Sequence, residues 1–141
     1  MKLLADTSVW SLALRRKSAS SLNHEERHKV AIFTEAIAKG QVAMFGPIRQ
    51  ELLSGIREIA QFEKLKRSLG EYQDEPVLTE DYEEAARLHN MCRRLGVQCG
   101  PIDILICAVA IRRNWEVLSS DRGLDRCLET VRQALKSKTS P

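Results

Sequence analysis

The sequence lacks the long apolar run that a membrane protein needs. Its longest apolar stretch, residues 104–111, is far below the roughly 18 residues that span a bilayer as a helix. The opening Met-Lys-Leu-Leu-Ala is too short to be a secretory signal peptide. We therefore expect a cytoplasmic protein without membrane contacts.

No stretch rich in proline, glycine or serine divides the chain, and no internal repeat or low-complexity segment is present. Glycine and proline number 7 and 4 among the 141 residues, and the hydrophobic fraction is 43%. A chain of this size and composition can bury one sizeable core. We expect a single domain over residues 1–135 and a disordered tail over residues 136–141.

The chain also has no Cys-x-x-Cys pair. In a cytosolic protein of this size, its four cysteines are interpreted as reduced packing residues rather than as a disulfide framework or a zinc site. These are Cys92, Cys99, Cys107 and Cys127. The formal net charge of +3 is compatible with a polyanionic partner, but the basic residues are scattered among many glutamates, so charge alone decides little.

Short apolar segments alternate with helical patterns along the chain. Strands are predicted over residues 2–5, 41–45, 76–78 and 116–118. This alternation favours the α/β class, with an open, mostly parallel sheet flanked by helices. In such sheets ligands bind outside the carboxyl ends of the strands.

Helical spacing also predicts which side chains face the core. Glycines at positions 40, 70 and 96 are expected to end three of the helices. In the helices before Gly70 and Gly96, the residues expected to pack inward are Ile59, Phe62, Leu65 and Leu69, and then Tyr82, Ala86 and His89, with Thr79 as the N-cap of the second helix.

Two acids, Asp6 and Asp121, directly follow predicted strands. The topology therefore places both at the same edge of the sheet. Thr7 and Ser8 supply hydroxyl groups suited to capping the helix that begins there. The first acid is thus expected at a strand-to-helix turn.

Asp103 is the only charged residue in a helix that is apolar nearly all round until Arg112. A buried carboxylate is costly unless something compensates it. One explanation is stabilisation by the helix N-terminus, which contributes about 0.3 to 1 kcal/mol. The other is that Asp103 points into a crevice and ligates a cation. The residues alone leave both explanations open.

Glu51 lies at another element boundary, so four carboxylates could meet in one crevice. They would repel each other strongly without a cation. Mg²⁺ and Mn²⁺ accept carboxylate oxygens and complete their shells with water and phosphate oxygens. Such an ion makes water acidic enough to attack phosphorus and stabilises the leaving oxygen, so no nucleophilic side chain is needed.

Four segments of the chain together resemble the PIN-domain family. They are Leu3-Leu4-Ala5-Asp6-Thr7-Ser8, Glu51-Leu52-Leu53-Ser54-Gly55, Asp103-Ile104-Leu105-Ile106-Cys107-Ala108 and Leu118-Ser119-Ser120-Asp121. Each segment alone is weak evidence for the family, but the four segments occur in the family's order and cover nearly the whole chain. The resemblance implies a three-layer fold whose central, mostly parallel sheet has 4–5 short strands, and it implies a metal-dependent ribonuclease.

The resemblance also implies roles for individual acids. Asp6 and Asp103 would be the principal ligands of Mg²⁺ or Mn²⁺, and Glu51 and Asp121 would complete the acidic, catalytic cluster. The family often has a further acid or polar group two residues beyond the fourth acid, where this chain has Gly123. This leaves a second metal ion without that ligand.

Three hydroxyl groups and one further acid complete the expected site. By the same resemblance Thr7, Ser8 and Ser119 would orient ligands or water through hydrogen bonds. Plain helix capping explains these three equally well. Asp125, on the expected first turn of the last helix, is a secondary candidate for the acid that is absent at Gly123.

Small stand-alone PIN domains of this size are similar to the VapC toxins of bacterial and archaeal VapBC toxin–antitoxin pairs. This similarity implies a homodimer that cleaves RNA and a small cognate antitoxin whose tail covers the acidic groove. The alternative within the family is a non-catalytic module that binds RNA or protein. Such modules usually lose one or more acids, whereas all four are present here.

Other enzyme classes fit less well. His24-Glu25-Glu26-Arg27-His28 matches the H-E-x-x-H pattern of zinc proteases, but it lies in a polar segment after the predicted cap Asn23 and has no evident third ligand beyond His89. Dehalogenase-type phosphatases need an acid at the position of Ser8. Receiver domains need an acid at the position of Thr79.

Overall fold

The computed structural model describes residues 2–14 and 21–139. They belong to two compact units. The first comprises Met1–Pro76 and Glu116–Ser120, and the second comprises Val77–Trp115 and Asp121–Pro141. The first unit contains the β-sheet, and the second is helical.

The sheet of the first unit is parallel. Its strands are β1 (Leu3–Ala5), β2 (Val42–Ala43) and β3 (Glu116–Leu118), in the order β2-β1-β3. All of β1 is buried, as expected for a central strand of a parallel sheet. The mixed α/β class and the parallel sheet are thus confirmed.

The first unit also contains four helices. They are α1 (Thr7–Leu14), α2 (His24–Ala38), α3 (Gly46–Ser54) and α4 (Ile59–Leu69). Trp10 of α1 makes edge contacts with Phe33 and Tyr72, at ring-centroid distances of 4.7 and 5.2 Å. The edge-to-face geometry adds to the burial of these large rings and helps to fix α1, which begins directly after the first candidate acid.

Arg49 fixes α3 to the segment that follows α4. Its Nη1 donates to the carbonyl oxygen of Leu69 at 3.0 Å, and its Nε donates to Asp74 Oδ1 at 2.8 Å. Its Nη2 donates to the carbonyl oxygen of Tyr72. One planar guanidinium therefore holds several acceptors and positions the helix that carries Glu51.

The second unit contains α5 (Thr79–Arg94), α6 (Pro101–Arg113) and α7 (Arg122–Thr139). Residues 104–110 of α6 are all buried, as their nearly uninterrupted apolar sequence indicates. Gly40 and Gly96 lie two residues after the last residues of α2 and α5, with φ angles of 66° and 77°, the left-handed conformation that ends helices.

A buried ion pair joins the start of α5 to the end of α6. Asp81 is fully buried, and its two carboxylate oxygens accept from Arg112 and Arg113. Asp81 Oδ2 also accepts the backbone N–H of Leu78 at 2.8 Å. Burial raises the pKa of Asp81, but the N–H of Leu78 and the two guanidinium groups outweigh burial and hold the pKa below its ordinary value.

The prediction of four reduced cysteines is wrong. Cys99 and Cys127 form a disulfide with a Cα–Cα distance of 6.0 Å, whereas Cys92 and Cys107 are free and buried. The pairing joins residues 28 positions apart. Spacing along the sequence does not reveal such a pair, because the fold alone brings the two residues together.

The described residues form three strands instead of the predicted four to five, and residues 76–78 are not a strand. Pairing in this region is limited to one bridge between Met44 and Asp74. The N–H of Glu75 donates to the carbonyl oxygen of Met44 at 2.9 Å, and Pro76, which has no N–H, comes next. The N–H of Leu78 is already used by Asp81.

Three kinds of prediction about helices also need correction. Ile59 is 80% exposed, Tyr82 is 57% exposed and Ala86 is exposed, although all three are predicted on core faces. The N-cap of α5 is Leu78 rather than the predicted Thr79, which is the first residue of the helix. The inward face of α5 instead contains Asp81, Ala85, Leu88, Met91 and Cys92. Because Asp81, a charged residue, lies at the start of this face, apolar spacing did not indicate which face is buried.

The third correction concerns the chain end. Residues 136–139 were expected to be disordered but continue α7, whose last residue is Thr139. The Ser137 hydroxyl donates to the carbonyl oxygen of Gln133 at 3.1 Å. Residues 140 and 141 of the predicted tail lie outside the described residues. No helix in the described ranges is long and apolar enough to cross a membrane.

Candidate active site

Asp6 lies between β1 and α1 and is 6% exposed. Its Oδ1 accepts the backbone N–H groups of Ser8 at 3.1 Å and Val9 at 3.4 Å. Asp6 is therefore the N-cap of α1. Capping had been assigned to Thr7 and Ser8, but Ser8 donates its own hydroxyl to Asp6 Oδ1.

A directed set of hydrogen bonds surrounds this carboxylate. The Ser8 hydroxyl oxygen accepts the backbone N–H of Ser120 at 2.8 Å, so its single proton is available for Asp6. Ser119, which is also buried, donates its hydroxyl to Asp6 Oδ2 at 2.8 Å. Sequence reasoning found Ser8 and Ser119 but missed the Ser120 N–H, because a backbone group leaves no sequence signal.

The two carboxylate oxygens of Asp6 accept different numbers of hydrogen bonds. Oδ1 receives three donors, whereas Oδ2 receives one. All four donors are neutral, and the ion pairs found in the described part of the chain do not include Asp6. Oδ2 is thus a negatively charged oxygen with a spare lone pair, which is the type of donor that Mg²⁺ and Mn²⁺ prefer. In residue type, Asp6 fits a hard divalent cation.

Glu51 and Thr7 line one cleft in the first unit. The cleft has a volume of about 500 Å³, within the usual range for small-ligand sites. It is bounded by α1, by α3 with the turn that follows it, and by α4, and we call it the α1–α3–α4 cleft. Its lining residues are Thr7, Ser11, Leu14, Glu51, Leu52, Gly55, Ile56, Gln61, Lys64, Leu65 and Ser68.

Asp103 occupies the third position of α6, after the N-cap Gly100, and is half-buried. Burial first, and the Asp103 charge second, raise the pKa of Cys107 to about 12. The first turn of a helix stabilises a carboxylate. Both explanations considered for Asp103, helix stabilisation and cation ligation, are compatible with this position.

Asp121 is exposed and caps α7. Its Oδ1 accepts the backbone N–H groups of Gly123 at 2.8 Å and Leu124 at 3.3 Å. A Cβ atom at position 123 would lie only 3.1 Å from this oxygen. The close approach favours glycine where the family often has an acid. Asp125 lies in the first turn of α7, as predicted.

The structure thus joins some of the candidate residues within each unit. In the first unit, hydrogen bonds connect Asp6, Ser8 and Ser119, and Thr7 shares a cleft with Glu51. In the second unit, Asp103 and Asp121 each lie at a helix start. Across residues 2–14 and 21–139, no group of three or more His, Cys, Asp or Glu side chains could hold a metal ion. The four-acid metal site therefore stays a prediction.

The zinc-protease pattern lies on an exposed helix start. His24 and His28 are both exposed in α2. Asn23 Oδ1 accepts the Glu26 N–H at 2.7 Å, and Glu26 accepts the Asn23 N–H at 3.0 Å. This reciprocal capping box explains why a polar sequence occurs here.

Residues 3–127 match the family model described as PIN domain. No characterised protein in the comparison matches the sequence. PIN domains are typically nucleases and generally use divalent metal ions. Because the match covers most of the sequence, the chain belongs to the PIN-domain family.

Proposed function

We propose that the chain is a metal-dependent endoribonuclease that hydrolyses RNA phosphodiester bonds through Asp6, Glu51, Asp103 and Asp121. The observation that carries this proposal is the buried Asp6 carboxylate, which hydroxyl and N–H donors hold in one orientation. A buried anion is costly, and the fold maintains one at the end of a central strand. Membership of a family of nucleases supports the same function.

Within this proposal Asp6 presents a fixed oxygen to the reaction. Its Oδ1 is committed to α1, so Oδ2 is the atom that would bind an ion. Ser119 restricts rotation of the carboxylate through its bond to Oδ2, and Ser8 does so through Oδ1. Orientation of this kind reduces the reorganisation needed during reaction.

Asp6 and Asp103 would hold Mg²⁺ or Mn²⁺, and Glu51 and Asp121 would complete the acidic set. The ion would supply Lewis-acid chemistry by acidifying water and by neutralising charge on the phosphate. Thr7, which lines the cleft with Glu51, would orient ligands through its hydroxyl group.

We further propose that the protein is the toxin of a type II toxin–antitoxin pair, acts as a homodimer and is inhibited by a small cognate antitoxin. The supporting observation is the order of the four segments that match the family. The substrate would be RNA, and cleavage would occur in the cytoplasm.

One observation favours the alternative of a non-catalytic PIN module that binds RNA or protein. The described side chains include no ready group of three metal-binding residues. A module without a metal would still bind RNA but would not cut it. Metal binding therefore separates the two proposals.

The test is cleavage of mixed structured RNA by purified protein with Mg²⁺ or Mn²⁺, with EDTA, and with the Asp103→Asn variant. The matched control is Glu80→Gln, because Glu80 is an exposed acid in the first turn of α5 outside the four matching segments. Calorimetric titration with Mn²⁺ accompanies each assay. We expect metal-dependent cleavage that Asp103→Asn abolishes and Glu80→Gln retains.

Equal activity in wild type and Asp103→Asn would reveal a contaminating ribonuclease and contradict the assignment. RNA binding without cleavage or Mn²⁺ binding would favour the non-catalytic module. Cleavage that persists in EDTA would overturn the metal-dependent mechanism.

A further inference from the structure

The disulfide of the second unit joins the beginnings of two helices. Cys99 lies two residues before the start of α6, and Cys127 lies in the second turn of α7. Asp103 is in the first turn of α6, and Asp121 caps α7. The covalent bond therefore acts close to both acid-bearing helix starts.

The segment around Cys99 is not helical, so the disulfide supplies a constraint that helix hydrogen bonds do not. Residues 97–100 connect α5 to α6 without regular structure. A cross-link between residues 28 positions apart excludes many conformations that the chain could adopt if the bond were broken.

The two free cysteines are poor competitors for this bond. Cys92 and Cys107 are buried, and burial raises the pKa of both thiols. Thiol–disulfide exchange requires a thiolate. The Cys99–Cys127 pairing is therefore protected from rearrangement inside the unit.

An external thiol has a better approach from one side. Cys99 is 6% exposed and lies between the exposed residues Gln98 and Gly100, whereas Cys127 is 2% exposed on a packed helix. A small thiol would therefore attack the sulfur of Cys99. Cys127 would then leave with the electron pair of the broken bond.

We propose that the Cys99–Cys127 disulfide is a redox-sensitive brace that holds the first turns of α6 and α7, and that its reduction loosens both turns. A dithiol is the reductant. One of its thiolates bonds to Cys99 Sγ as the protein disulfide breaks, and its second thiolate then displaces Cys99. The dithiol becomes a disulfide, and two electrons and two protons pass to Cys99 and Cys127.

A consequence for catalysis rests on the proposed function. If Asp103 and Asp121 act in cleavage, loosening their helix starts lowers Mn²⁺ affinity and the cleavage rate. The brace itself does not depend on that function, because it concerns only the mobility of the two turns.

The experiment is hydrogen exchange, followed by mass spectrometry, of the full chain in three forms. These are the oxidised protein, the protein reduced with dithiothreitol, and a double variant with Cys99→Ala and Cys127→Ala. Cys92→Ala is the matched control because Cys92 is also buried but unpaired in a disulfide. Thiol labelling under denaturing conditions counts the free cysteines of each sample.

We expect amide exchange over residues 101–106 and 122–128 to be at least about tenfold faster in the reduced protein and the double variant. Exchange in α2 should accelerate less than exchange in these two turns. The thermal midpoint should fall by about 10 °C on reduction, as expected for a loop of this length in a chain of this size. Cys92→Ala should retain slow exchange in both turns.

The brace would be overturned if amide exchange stayed unchanged in a sample that thiol labelling shows to be reduced. It would also be overturned if the protein still had four free thiols after treatment with oxidised glutathione. The two proposals are distinguishable. Faster exchange on reduction in a protein that never cleaves RNA would support the brace and contradict the nuclease. Cleavage that is metal-dependent but insensitive to reduction, with unchanged exchange, would do the reverse.

Discussion

The two carboxylate oxygens of Asp6 have different hydrogen-bond partners. One oxygen caps α1, and the other accepts a single hydroxyl bond from Ser119. Ser8 connects the carboxylate to the end of the β3 segment, because its hydroxyl oxygen also accepts the Ser120 N–H. The orientation of the Asp6 carboxylate thus depends on Ser8 and Ser119, which are far apart from each other in the sequence.

We predict that Ser8→Ala lowers Mn²⁺ affinity and the cleavage rate about tenfold, the lower end of the usual effect for groups that orient a ligand. Loss of the hydroxyl removes a donor to Asp6 and leaves the Ser120 N–H without this acceptor. Titration calorimetry and cleavage assays provide the measurement. Ser8→Thr should restore most of the loss, since it returns a hydroxyl group.

Ser54→Ala is the control for this prediction. The Ser54 hydroxyl donates to the carbonyl oxygen of Gln50 on the exposed side of α3. A similar loss in Ser54→Ala, or a failure of Ser8→Thr to restore function, would show that Ser8 acts only through stability.

Sequence reasoning at this scale located the acids better than their partners. The position of Asp6 could be predicted because a strand pattern ends directly before it, and that of Asp121 because another strand pattern ends three residues before it. The Ser8–Ser120 bond could not be predicted, because it joins a side chain to a backbone group 112 residues away. The Cys99–Cys127 pair was missed for a similar reason.

At the scale of elements, the buried charge of Asp81 links α5 to α6. Arg112 and Arg113 follow the long apolar face of α6 and turn their guanidinium groups to one carboxylate. Arg113 also lies over the ring of Trp115, with its Cζ 5.1 Å from the ring centroid. Hence the end of α6 is fixed by charge rather than by apolar packing.

We predict that Asp81→Asn lowers the free energy of unfolding at pH 7 by about 3 kcal/mol, because it breaks a buried ion pair. The pKa of Asp81 is lowered in the folded protein, so its contribution is present above the ordinary carboxyl pKa and is lost as pH falls through the folded pKa. The difference between wild type and variant should therefore shrink in acid. Urea unfolding at pH 7, 5 and 3 measures it.

Asp74→Asn provides the comparison. Asp74 pairs with Arg49 but is 48% exposed at its side chain, and exposed pairs contribute at most about 1 kcal/mol. A gap between Asp81→Asn and wild type that stays constant from pH 7 to pH 3 would contradict the assigned charge state.

The elements themselves were predicted unevenly. Strand β3 was predicted with its observed bounds, since Glu116-Val117-Leu118 has few other interpretations. The prediction of a strand at residues 76–78 was wrong because Pro76 has no N–H for strand pairing and the Leu78 N–H donates to Asp81 at the start of α5. The buried face of α5 was wrong because apolar spacing cannot anticipate a fully buried aspartate.

At the scale of the whole molecule, the order of four short segments carried more information than composition or charge. Those segments span the sequence, and the PIN family match over residues 3–127 confirms the interpretation based on their order. Toxin specificity, the antitoxin and the RNA target depend on surfaces that these segments do not include. They stay proposals.

We predict that the purified protein is a dimer at micromolar concentration, with twice the chain mass of 16.0 kDa. The second unit exposes large apolar side chains such as Leu78, Tyr82 and Leu95, and burial of such side chains against a second copy would favour the dimer. Light scattering coupled to size exclusion measures the mass. A constant mass of one chain across a concentration series would contradict the dimer.

The capping role of Asp6 has a consequence for genetics. A substitution such as Asp6→Ala removes the N-cap of α1, which costs about 1 kcal/mol, in addition to any effect on chemistry. In cells a loss of that size can lower the abundance of a protein several-fold. An assay of the proposed activity in cells would therefore register both effects in Asp6→Ala, whereas Asp6→Asn, which keeps an acceptor oxygen for the cap, would separate abundance from chemistry.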